Sequence, residues 1–258
     1  MILIAAAIAA GCTAKEHKIA IVAHQGYWDC DQAHHIGNTV AALAQAQENG
    51  FWGSEFDVHI TADDGLLVFH NNDIFGVDIH TSPIDSLTAI TYPNGWHPAT
   101  IDEFLTQAGK CPTTKLVFEL KPHPEKERED IFVDRAIEAL KAHGLFSPDR
   151  VMFISFSLNM CKRIAEKCPE FDNQYLAGDI DPDDLFEMGI NGVDYHYSFF
   201  YQHPEWIEHA RSHGMSLNIW TVDNPEDIQK VIDMAPDAIT TNVPLTVREM
   251  LSGKELRQ

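Results

Sequence analysis

Eight short β-type runs, alternating with stretches of helical patterning, constrain this chain more than any other feature. The runs are Lys18–His24, Gly53–Val58, Lys115–Lys121, Arg150–Ser155, Gln174–Gly178, Ile190–Tyr195, Met215–Val222 and Asp237–Thr241. Helical patterns fall between them at Thr39–Asn49, Ile101–Ala108, Glu127–Ala142, Asn159–Cys168, Pro182–Met188, Pro204–His213 and Pro225–Met234. Parallel strands need long crossovers, which helices supply, so the alternation implies a parallel sheet covered by helices. A doubly wound open sheet satisfies the same alternation. The count of eight, with polar residues gathered at strand ends, favours an α/β fold closed as a (β/α)8 TIM barrel. A length of 258 residues suits one such barrel, and no linker rich in Pro, Gly or Ser divides it, so residues 18–258 are expected to form a single domain.

One segment breaks the alternation. Leu66–His70 reads as a strand, yet only Asp63-Asp64-Gly65 and a few neighbours separate it from Gly53–Val58. That gap is too short for a crossover helix, and Asp-Gly is a strong hairpin signal. The expectation is a β-hairpin after strand 2, running antiparallel to an extension of that strand. Counting outward from a turn near Asp64 brings His70 opposite Asp57, to within about two residues of register. Residues 71–99 are then a small, mostly irregular insertion over the face where barrel active sites lie.

Charge decides which partners are sensible. Thirty-nine acidic residues against 18 basic ones leave a formal charge of −21. That field repels nucleic acid and anionic membranes, and an acidic protein that handles phosphate needs a local cation to reverse it. Of the five cysteines, none forms a C-x-x-C pair, which argues against a structural zinc site. The apolar run Ile2–Ala10 is too short to span a bilayer, but Ala9-Ala10-Gly11-Cys12 resembles a bacterial lipoprotein cleavage box. Residues 1–17 are accordingly read as a signal-like segment, and the protein as exported to the periplasm or cell envelope with a membrane tether through lipidated Cys12; the plainer alternative is an N-terminal strand or tail. In an oxidising compartment, Cys30, Cys111, Cys161 and Cys168 could pair in three ways.

Chemistry concentrates on the first three strands. Glu55 and Asp57 sit two apart on one strand and so face the same way; Glu119 and Lys121 repeat the pattern on the next. Three converging carboxylates, Glu55, Asp57 and Glu119, offer a hard oxygen site suited to Ca2+ or Mg2+. The bland alternative is an amphipathic strand with solvated acids. His24 closes the first strand and His70 closes the hairpin. In a chain with 14 histidines either one alone means little, but both end strands on the expected functional face. Two imidazoles around a phosphodiester form a workable acid/base pair, one taking a proton from the attacking oxygen and the other returning one to the leaving alkoxide. Glu125–Asp130 reads as the mixed-charge opening of a solvated helix, Asp181-Pro182 as a helix N-terminus, and Asp194–Tyr197 as a strand end that could line the pocket.

In order and spacing these segments resemble the glycerophosphodiester phosphodiesterase family. The resemblance runs through Ala23-His24-Gln25-Gly26, Gly37-Asn38-Thr39 and Gly53-Ser54-Glu55-Phe56-Asp57-Val58, then Thr61, Gly65 and Val68-Phe69-His70. It continues in Phe118-Glu119-Leu120-Lys121, Ser155-Phe156, Asn218–Val222 and Ile239–Pro244, covering nearly all of Lys18–Val247. What it implies is a barrel hydrolase that uses a divalent cation to cleave small-molecule glycerophosphodiesters to glycerol 3-phosphate and an alcohol. His24 and His70 would be the acid/base pair, Glu55, Asp57 and Glu119 the metal ligands, and Lys121, Gln25 and Trp220 substrate-binding residues. The resemblance also implies attack by the neighbouring glycerol hydroxyl, giving a cyclic phosphate that water then opens.

The chain departs from the family pattern at Gln25 (Arg in the family), Gly37 (Glu), Asn71 (Asp) and Asn242 (more often Asp). Loss of the Arg removes a permanent charge and a bidentate phosphate fork. Two further readings follow: a barrel that binds a phosphodiester or lipid with altered substrate or no turnover, and a phospholipase-like enzyme acting on whole lipids.

Overall fold

The computed structural model describes residues 18–92 and 95–255. Eight strands form the barrel: β1 (Ala20–Ala23), β2 (Gly53–Ile60), β3 (Lys115–Leu120), β4 (Val151–Ser155), β5 (Asp172–Tyr175), β6 (Gly192–His196), β7 (Ser216–Trp220) and β8 (Ala238–Thr241). Each pairs in parallel with the next, and β1 pairs with both β8 and β2, which closes the sheet. The alternation expected from sequence is realised as a (β/α)8 barrel, with β5 starting two residues before the sequence reading placed it.

Side-chain parity divides the core. On β2 and β3, Phe56, Val58, Phe118 and Leu120 point outward into a cluster that includes Phe104 and Phe132 of the surrounding helices. The opposite parity fills the interior, where Val22, Val117, Met152, Ile154, Leu176 and Ala238 pack together. Every residue of β2 is buried, polar ones included, so its acids are not the solvated face of an amphipathic strand.

The hairpin forms with Ile60 opposite Leu66 and Val58 opposite Val68. Phe69 N–H donates to Asp57 O at 3.0 Å, so His70 falls one residue beyond Asp57, inside the expected margin. Asp64 takes the left-handed conformation (φ 63°) that the turn requires. Arg128 fixes this turn from outside, donating to Thr61 O at 2.6 Å and pairing with the Asp64 carboxylate. Glu129 beside it is only 4% exposed and accepts hydrogen bonds from Ser157 (2.8 Å) and Asn159 (3.1 Å). The run Glu125–Asp130 is therefore not simply a solvated helix opening: helix Lys126–Ala142 turns these two residues toward the barrel, and each finds partners there.

The insertion is more ordered than its sequence suggested. It holds a small hairpin, Asp73–Ile74 with Val77–Asp78, and a short helix, Ile84–Thr88. Its Ile74, Ile79 and Leu87 pack together with Leu67 of the hairpin strand. Cys30, Cys111, Cys161 and Cys168 are all free thiols, so none of the three pairings is made. The signal-like segment 1–17, with Cys12, lies outside the described residues.

Candidate active site

Because β2 and β3 pair with Asp57 beside Glu119, their inward residues converge at the C-terminal end of the barrel. Glu55, Asp57 and Glu119 are 2%, 1% and 7% exposed, and each offers a carboxylate oxygen within 4.8 Å of the other two. The surrounding chain fixes each group. Gln25 N–H donates to Glu55 Oε2 at 2.7 Å. Asn38 grips Asp57 twice, its side-chain N–H donating to Oδ2 (2.7 Å) and its Oδ1 accepting from Asp57 N–H (2.9 Å). Lys121 Nζ lies 3.0 Å from Asp57 Oδ1 and 2.9 Å from Glu119 Oε1.

One ammonium cannot balance three buried carboxylates. Burial, then the charge of Asp57, pushes Glu119 up to about 8, and burial with both acidic neighbours raises Glu55 well above the usual carboxylate range. Burial opposes ionisation of Asp57 as well, but Lys121, the histidines and Asn38 outweigh it and hold this carboxyl low. Glu55 Oε1 is buried with no hydrogen-bond partner, and Glu119 Oε1 has only its ion pair with Lys121. An all-oxygen donor set with orphaned lone pairs and surplus negative charge fits a hard divalent cation.

His24 stands at the end of β1, and its tautomer follows from its neighbours. Asn242 donates through Nδ2 to Asp223 Oδ2 (2.7 Å) and receives Trp28 Nε1–H on Oδ1 (3.0 Å), which fixes its amide orientation. His24 Nδ1, 2.9 Å from that same Oδ1, must then be the donor. Nε2 is left with its lone pair, 3.9 Å from Glu55 Oε2. Burial lowers the His24 pKa against the opposing pull of the Asn242 bond, which favours the neutral ring. His70, exposed at the mouth, has Nδ1 2.9 Å from Asn71 Oδ1. Both histidines thus rest on asparagine amides.

Gln25 has a left-handed backbone (φ 55°), which aims its N–H at Glu55. Its side chain lies directly over Gly37: a Cβ built there would meet Gln25 Oε1 at 2.5 Å and Gln25 Cβ at 2.9 Å. Residues 25 and 37 are therefore sterically coupled. Trp220 ends β7 with its indole N–H on Asp194 O (2.7 Å) and packs edge-on against Phe156 (5.6 Å). Lys121 Nζ lies 6.0 Å from the Phe156 ring, so these aromatics line the mouth beside the carboxylates. Of the strand-end cluster Asp194–Tyr197, Asp194 is buried inside the barrel, Tyr195 bonds Ile180 O at 2.7 Å, His196 packs beside Trp220, and the Tyr197 ring lies against His196.

Sequence reasoning missed three contributors. Asp223, just past the end of β7, carried a strand-end signal but no partner to suggest a role. Asn38, inside Gly37-Asn38-Thr39, carried no chemical signal of its own. His59 shares the parity of Glu55 and Asp57, is fully buried, and places Nε2 3.4 Å from His70 O and Nδ1 3.4 Å from His80 Nε2.

Known proteins resemble this chain in sequence and fold. A glycerophosphodiester phosphodiesterase from Parabacteroides distasonis, known from a crystal structure, is 36% identical and superposes with a TM-score of 0.88 over 92% of this chain and 98% of its own. A curated glycerophosphodiester phosphodiesterase from Caldanaerobacter subterraneus subsp. tengcongensis is 26% identical over 251 residues, 89% of this chain and 96% of the relative. An Oleispira antarctica phosphodiesterase, solved in complex with sn-glycerol-3-phosphate, shares the fold at 20% identity, with a TM-score of 0.74 over 90% of this chain and 96% of its own. Residues 24–246 match the model of the Glycerophosphoryl diester phosphodiesterase family, and the chain belongs to that family.

Proposed function

We propose that this chain hydrolyses glycerophosphodiesters to glycerol 3-phosphate and an alcohol, using a divalent cation, Ca2+ or Mg2+, held by Glu55, Asp57 and Glu119. The observation that carries the reading is the convergence of these carboxylates with His24 at one end of a barrel of this family. The product held by the Oleispira antarctica phosphodiesterase supports the choice of product. When bound, the cation supplies charge stabilisation for the phosphoryl oxygens. His24, neutral and with Nε2 unprotonated, takes the proton from the attacking oxygen. His70 returns a proton to the leaving alkoxide. Lys121 adds a fixed positive charge beside the phosphate, while Gln25 and Trp220 border the substrate.

The test is glycerol 3-phosphate release from glycerophosphocholine and glycerophosphoethanolamine with Ca2+, Mg2+ or chelator. Cation-dependent release is expected, falling about 10²–10⁴-fold in His24→Ala, the usual scale for loss of a general base. Release that survives chelator, or an unimpaired His24→Ala, would overturn the assignment. Phe75, 70% exposed at the tip of the insertion's hairpin, favours a second reading in which whole lipids are cleaved. Turnover of dispersed phospholipid faster than of glycerophosphocholine would establish it. The proposed lipid tether on Cys12 is checked separately: fatty-acid labelling of cells should mark wild type and spare Cys12→Ser.

A further inference from the structure

A second group of metal-ligating side chains lies away from the barrel mouth, between the helices Pro182–Glu187 and Trp206–Ser212 that follow β5 and β6. Asp181 caps the first helix and Asp183 lies within its first turn. His209 and His213, four apart, present their rings toward this cap from the second helix and its C-cap. His209 Nδ1 is 2.8 Å from Asp181 Oδ1 and 3.6 Å from Asp183 Oδ2; His213 Nε2 is 2.9 Å from Asp183 Oδ1. Asp181, Asp183 and His209 each offer a ligand atom within 4.8 Å of the other two.

These separations can be compared with what a metal would need. Ligands held at about 2.0–2.1 Å around a tetrahedral zinc ion lie about 3.3–3.5 Å from one another. The three contacts, 2.8, 2.9 and 3.6 Å, bracket that value; Asp181, Asp183 and His209 already lie within reach of one ion, and His213, held by Asp183 Oδ1, must swing in to join them. The His213 ring is already held by stacking on Phe186, with centroids 4.1 Å apart and planes at 16°. The donor chemistry differs from that of the barrel mouth. Two imidazole nitrogens and two carboxylates suit a borderline ion such as Zn2+, whereas the all-oxygen trio suits a hard one.

We propose that Asp181, Asp183 and His209, with His213 as fourth donor, form a site for a zinc-class divalent cation that ties the two helices together. The site is independent of hydrolysis, because none of its residues touches the barrel mouth.

Cobalt substitution tests it. Full-length protein stripped with chelator is titrated with Co2+ in excess Mg2+, which occupies the carboxylate trio. Wild type should develop the visible absorption of a tetrahedral nitrogen–oxygen site, and Zn2+ should bleach it at one equivalent. His209→Ala and Asp183→Asn should each weaken Co2+ binding at least tenfold, with helical circular dichroism and glycerophosphodiester turnover unchanged. Glu119→Gln should leave the absorption intact. If wild type gives no tetrahedral spectrum, or if the spectrum survives both His209→Ala and Asp183→Asn, the site does not exist. A spectrum lost in Glu119→Gln would equally overturn the proposal, by placing cobalt in the barrel mouth.

Discussion

Gln25 acts through its backbone N–H, its side chain and its carbonyl. Its backbone N–H anchors Glu55, and its side chain occupies the space beside Gly37. Its carbonyl also accepts from Asn38 N–H at 2.9 Å, and Asn38 in turn holds Asp57. One residue in a strained conformation thus connects two of the carboxylates. Gly37→Ala should push Gln25 off this position, because the new methyl meets Gln25 Cβ at 2.9 Å as well as the movable amide. Expected is a several-fold weaker cation affinity, measured by calorimetry, and the double variant Gln25→Gly/Gly37→Ala should recover most of it. Glycine at 25 removes both collisions and also accepts positive φ without the roughly 1 kcal/mol strain of an L-residue. Recovery failing in the double variant would mean that Gly37 acts by another route. The inward carboxylates were readable from sequence because period-two parity fixes their direction. The groups that orient the histidines were not: His24 and Asn242 meet across 218 positions, a distance that only barrel closure removes.

His59 joins three elements that otherwise meet only at their ends. It is carried by β2, its ring faces the His70 carbonyl of the hairpin, and it reaches His80 of the insertion. His80 packs edge-on against His123, in the loop two residues past Lys121, with ring centroids 4.6 Å apart. Burial above all, with the nearby charge of Lys121, depresses the His59 pKa to about 3. An unfolded histidine titrates near pH 6.5, so between that pH and about 3 the unfolded chain binds a proton that the folded chain refuses. The stability is therefore fully present above pH 6.5 and declines as pH falls, by about 1.4 kcal/mol per unit for this one group. His59→Gln should flatten the decline between pH 6.5 and 5, read as the shift of the urea midpoint across that window. An unchanged slope would show that His59 is solvated in solution. At this scale the strand–helix alternation and the hairpin were legible, since each depends on local pattern and one short turn. The insertion was not, because its short strands and single helical turn hold together through contacts among Leu67, Ile74, Ile79 and Leu87 rather than through any period.

The whole molecule carries a charge of −21, and its barrel concentrates three carboxylates against one lysine at the point where the strands end. Folding therefore brings together groups that the chain alone would hold apart, and protons relieve the repulsion. With Glu119 raised to about 8 and Glu55 also raised, part of the trio is protonated at neutral pH. A cation must displace those protons to bind, so its apparent affinity should rise from pH 6 to 8 and level off beyond. Calorimetry in buffers of different ionisation enthalpy should detect the proton release directly. The same linkage governs stability: cation at 100 times its Kd adds about 2.7 kcal/mol, and the addition shrinks at lower pH for a fixed cation concentration. Glu119→Gln separates the two contributions. It removes a carboxyl that folding forces to take up a proton and should stabilise the chelated protein, while abolishing most of the rise in Tm expected of wild type from the proposed cation. A variant that kept the full cation-dependent rise would place the cation elsewhere, and a chelated variant less stable than wild type would mean that the Lys121–Glu119 pair outweighs the repulsion it opposes.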